Sequence, residues 1–64
     1  MFEQSNPQTK RYEIRLLTVE GEPLLFVATV ASDQEAADYA KSLMLRHPCE
    51  IAEVWLGMKI IRRL

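Results

Sequence analysis

Leu24-Leu25-Phe26-Val27-Ala28-Thr29-Val30-Ala31-Ser32-Asp33-Gln34-Glu35 decides how this chain folds. Its first seven residues are aliphatic, aromatic and β-branched, the composition of a strand. They show little polar alternation, which predicts that both faces of that strand are covered. Its last four match a capping box, in which the Ser32 hydroxyl accepts from the backbone N–H three residues on and the Glu35 side chain reaches back. A strand is thus followed almost at once by a helix.

Toward the C-terminus, at about 100° per residue, Ala36, Ala37, Ala40, Leu43, Met44 and His47 fall on one side of the helix. Gln34, Glu35, Asp38, Lys41 and Ser42 fall on the other, with Leu45 pointing out among them and Tyr39 on the flank. Small residues in the first half let the helix lie close to a sheet. Pro48 stops it, because the residue before a proline is pushed out of helical angles, so the helix is predicted over Asp33 to His47.

Toward the N-terminus, Glu20-Gly21-Glu22-Pro23 is a turn: Gly allows positive φ, and Pro fixes φ while withholding a donor. Before it, Tyr12, Ile14 and Leu16 alternate with Arg11, Glu13 and Arg15, the period of two that turns one face to a core. Residues 11 to 19 and 24 to 30 therefore form a hairpin. Residues 1–9 are polar, contain Pro7 and show no periodicity, which predicts a flexible leader before a single domain over 10–64.

After Pro48, Ile51-Ala52-Glu53-Val54-Trp55 and Met58-Lys59-Ile60-Ile61-Arg62-Arg63-Leu64 read as strands around Leu56-Gly57. A two-residue turn at Leu56-Gly57 sets Trp55 opposite Met58, Val54 opposite Lys59 and Glu53 opposite Ile60. Leu is a poor residue where positive φ is needed, so a single strand bulged at Gly57 is the alternative. The fold class is α+β: one small ββαββ domain whose antiparallel sheet, in strand order 2-1-3-4, carries one helix on one face.

The chain has 64 residues, with eight Lys and Arg against nine Asp and Glu, 48% hydrophobic and 27% charged. That length leaves room for one domain and excludes a two-lobed enzyme. The balanced charge and ordinary apolar content exclude a disordered polyelectrolyte. A core this small rarely supplies more than ~3 to 5 kcal/mol. A single cysteine, Cys49, cannot form an internal disulfide, which leaves oligomerisation as the expected staple. With no basic, apolar N-terminal signal and no apolar run of about 18 residues, a soluble cytoplasmic protein is expected.

The stretch from Cys49 to Leu64 resembles the ending of a group of small bacterial proteins whose chains open with a Tyr-containing strand and finish in a Glu-hydrophobic-Trp-x-Gly pattern and a basic, apolar strand. The matching residues are Tyr12, Glu53, Val54, Trp55, Gly57, Lys59, Ile61 and Leu64. Members commonly place Gln before the Gly and a polar residue after it, where this chain has Leu56 and Met58. The resemblance implies a ββαββ-like domain and brings no activity with it.

One helix covers one sheet face, so the other is predicted to be a partner surface. Leu17, Trp55, Met58 and Ile60 are its expected interface residues, and Val19 could extend the patch. The function expected is a non-enzymatic interaction module that self-associates as a homodimer. The alternative is a nucleic-acid-binding accessory protein that uses Arg15, Lys59, Arg62 and Arg63. Neither catalytic residues nor a metal or cofactor site are expected. His47 and Cys49, two residues apart around Pro48, are read as a helix-end residue and a small buried hydrophobe, because catalysis would also need an orienting group and oxyanion donors. Glu20 and Glu22 are read as solvated. Glu53, on the apolar back face, is expected to find Arg62, Arg15 or a partner's Arg.

Overall fold

The computed structural model describes residues 9–64. Five elements follow in order: β1 (Lys10–Leu17), β2 (Leu24–Val30), α1 (Asp33–Arg46), β3 (Ile51–Leu56) and β4 (Lys59–Arg63). The four strands form one antiparallel sheet in the order β2-β1-β3-β4, as the sequence predicts. The leader expected over residues 1–9 lies, but for Thr9, outside the described residues.

The capping box forms with one shift, the Glu35 side chain reaching past the N-cap Ser32 to Ala31. Ser32 Oγ accepts from the Glu35 N–H at 3.2 Å, and Glu35 Oε1 accepts from the Ala31 N–H at 2.8 Å. At the other end the His47 N–H donates to the Leu43 carbonyl at 2.9 Å before Pro48 turns the chain. Ala36, Ala37 and Ala40 are wholly buried, so the helix backbone comes close to Tyr12, Ile14 and Leu16 of β1, Ala28 of β2, and Ala52 and Val54 of β3. Leu45 points out and is 89% exposed.

The Tyr12 hydroxyl donates to Asp33 Oδ1 at 2.5 Å, which ties the first helical residue to the central strand. That bond, then burial, then the negative charges of Asp33 and Glu35 push the Tyr12 hydroxyl from its ordinary 10.0 up to about 12. The folded state thus favours the neutral phenol. Its contribution to stability is complete below the unfolded pKa of 10.0 and is lost as pH rises through about 12. Denaturant midpoints measured across that window should fall more steeply for the native chain than for Tyr12→Phe. Equal slopes would contradict the contact.

The last hairpin departs from the expected register. The turn is Gly57-Met58, one residue later than predicted, and Leu56 closes the ladder opposite Lys59. Gly57, at the first turn position, has φ 64, so Leu56 never needs a positive φ. Trp55 pairs with Ile60 rather than Met58, and Val54 pairs with Arg62 rather than Lys59. One step on β3 therefore spans two on β4, and Ile61 is the extra residue of a bulge. Since one inserted residue reverses every side chain beyond it, Arg63 pairs with Glu53, and Leu64 exchanges hydrogen bonds with Ala52 and packs on the core.

Two outcomes follow for this turn. Gly57→Val should cost about 1 to 2 kcal/mol, because an L residue is strained at that φ. Leu56→Asn, which would help a turn residue, should instead lower the melting midpoint, because Leu56 packs against the core. A rise in the midpoint for Leu56→Asn would return Leu56 to the turn.

Candidate functional site

The sheet face away from α1 is built by alternation. Arg11, Glu13, Arg15 and Leu17 leave β1 on the side opposite the buried Tyr12, Ile14 and Leu16. Register adds Leu25, Val27 and Thr29 from β2, then Ile51, Glu53 and Trp55 from β3, then Ile60 and Arg63 from β4. The cover expected over both sides of β2 is absent from this side among the described residues: Leu25 is 60% and Val27 52% exposed.

At the centre lies a cluster that the sequence reading missed. Glu13 is opposite Trp55 and Arg15 opposite Glu53, so Arg15 and Trp55 are diagonal neighbours. The Arg15 guanidinium sits 4.3 Å from the Trp55 ring centroid, in cation–π geometry. Its Nη2 lies 3.5 Å from Glu13 Oε1, while its buried Nε meets no acceptor. The Trp55 indole Nε1–H donates to Glu53 Oε1 at 3.1 Å. Arg63 Nη2 lies 3.4 Å from Glu53 Oε2, so the partner of Glu53 is Arg63 in place of the expected Arg62 or Arg15. The bulge at Ile61 causes this exchange. These ion pairs are partly exposed and weak singly, and one member of each, Arg15 and Glu53, also contacts the Trp55 side chain.

Among the expected interface residues, Leu17, Trp55 and Ile60 share this face, half-buried, while Met58 stands at the turn tip, 96% exposed. Val19 lies in the β1–β2 loop beyond the sheet. The four cations weighed for nucleic-acid contact divide. Arg15 and Arg63 are on the outer face, each beside a carboxylate, whereas Lys59 and Arg62 take the register of Leu56 and Val54 on the helix side.

His47 and Cys49 both pack against neighbouring side chains. The His47 ring packs on Phe26 with centroids 5.4 Å apart, and Cys49 is half-buried against the core. Two open hollows of about 460 and 470 Å³ flank the sheet. The first is lined by Thr18, Glu20, Glu22, Leu24, His47 and Pro48 among others, and Thr18 Oγ1 is already engaged there with the Glu22 carbonyl at 2.8 Å. Among the described residues, no group of three His, Cys, Asp or Glu gathers that could hold a metal ion. No described helix is long and apolar enough to cross a membrane.

Comparison with protein families, with curated proteins and with solved structures finds no match for this chain.

Proposed function

We propose that this chain is a small, non-enzymatic interaction module that self-associates as a homodimer through the outer face of its sheet. The observation that carries this reading is the uncovered face itself, where Leu25 and Val27 stand exposed beside Leu17, Ile60 and an oriented Trp55. Fully burying one large apolar side chain is worth about 1.5 to 3 kcal/mol, comparable to the stability of a core this small. Met58, at the hairpin tip, extends the contact at its rim.

The charge pattern favours a second copy as the occupant. A two-fold contact sets one surface against itself, so the surface must complement itself. Glu13 and Glu53 stand beside Arg15 and Arg63 at the centre of this face, with Arg11 at its margin, and a rotated copy can set each carboxylate against a guanidinium. A nucleic-acid backbone would meet the same two carboxylates at the centre. With one free thiol, Cys49, the chain suits the reducing cytoplasm.

Isotope-filtered NOE spectra on a mixture of labelled and unlabelled chain at millimolar concentration test the surface. Intermolecular contacts are expected between the Trp55 indole and the methyl groups of Leu17 and Ile60. Contacts confined to α1, or none at all, would overturn it.

A further inference from the structure

We infer that β2 is an edge along which two copies join their sheets, strand against identical strand. Such pairing rests on the self-association proposed above and names the edge at which two copies meet; copies that used the outer face as well would assemble beyond a dimer. The sheet has two edges, β2 and β4, and they are unlike. β4 carries Lys59, Arg62 and Arg63 and is bulged at Ile61. Charge and bulges both discourage an edge from pairing with another chain. β2 has neither: its seven residues contain no charged side chain and no proline, and its register against β1 runs unbroken from Leu24 to Val30.

Alternate N–H and C=O groups along β2 point away from β1. Among the described residues, no turn, loop or side-chain hydrogen bond ends on the backbone of β2. Among the described residues this ladder is open. Its best complement is a second β2. Antiparallel pairing centred on Val27 sets Val27 against the partner's Val27, Leu25 against the partner's Thr29 and Phe26 against the partner's Ala28, with no like charges opposed. Two β4 strands paired in the same way would oppose Lys59 to the partner's Arg63. A β2-to-β4 contact would be head-to-tail and would not close at two copies. Pairing through β2 alone closes, and it leaves only the guarded β4 edges at the two ends of the combined sheet.

The test is disulfide trapping in a Cys49→Ala background, which leaves one thiol per chain. Val27→Cys lies on the proposed axis, where directly opposed side chains have Cβ atoms about 4.5 to 5.5 Å apart. Thr29→Cys is the control for register, because its two copies would lie about 14 Å apart along the strands, four steps of about 3.4 Å. Both positions are exposed, so both variants should fold. Under mild oxidation the Val27→Cys chain should form a covalent dimer at least tenfold faster than the Thr29→Cys chain, and should still do so when Trp55→Glu is added. Equal rates, or no Val27→Cys dimer while the native chain sediments as a dimer, would overturn β2 pairing and leave the face contact standing. A Val27→Cys dimer, together with a native chain that sediments as a dimer and keeps doing so unchanged with Trp55→Glu, would keep β2 pairing and reject the face. Sedimentation of the native chain as a monomer would reject both.

Discussion

Ala40→Glu is expected to abolish the cooperative thermal transition of this domain. Ala40 is wholly buried between α1 and the sheet, in a row with Ala36 and Ala37 that leaves no room for a longer side chain. Removing a charge from water without a partner costs several kcal/mol, and a core of this size holds only ~3 to 5 kcal/mol in all. The cost therefore equals or exceeds the total. Lys41→Glu, one residue on and exposed, places the same carboxylate in solvent and should melt close to the native chain. Circular dichroism melts of the two variants check this, and a cooperative transition retained by Ala40→Glu would contradict the close packing of helix on sheet.

The second large effect is on association. Trp55→Glu should weaken self-affinity by at least about 30-fold, the equivalent of the 2 kcal/mol that marks an interface hot spot. The substitution removes the ring that Arg15 stacks on and the indole that donates to Glu53, and it adds a third carboxylate beside Glu13 and Glu53. The buried core of Tyr12, Ile14, Leu16 and Val54 is untouched on the other side of the sheet, so the monomer should keep its fold. Sedimentation velocity over a dilution series reads the change. An unchanged dissociation midpoint would remove Trp55 from the interface.

Much of the architecture was legible because its signals are local. The Ser32 to Glu35 capping box, the Pro48 stop and the alternation around Tyr12, Ile14 and Leu16 depend on neighbours in sequence, and each appears where it was expected. The last hairpin was harder. Turns at Leu56-Gly57 and at Gly57-Met58 differ by one residue, and what separates them is the packing of Leu56 and Leu64 on a core assembled from distant parts of the chain. The bulge at Ile61 follows from that packing, and with it the partner of Glu53. The Arg15–Trp55 stack was invisible for a related reason. It is a diagonal neighbour relation across β1 and β3, set by their register, and nothing in the spacing of residues 15 and 55 announces it. Sequence alone could place Leu17, Trp55 and Ile60 on the uncovered face, because alternation decides faces, but not the charges among which they would stand.

Sedimentation equilibrium of the native chain at ~100 µM tests the central claim most directly, since contacts tighter than about -5.5 kcal/mol are largely populated at that concentration. Self-association through the uncovered sheet predicts a mass at least twice that of the chain, falling toward the single-chain mass on dilution. A single-chain mass at every concentration up to ~100 µM would contradict it.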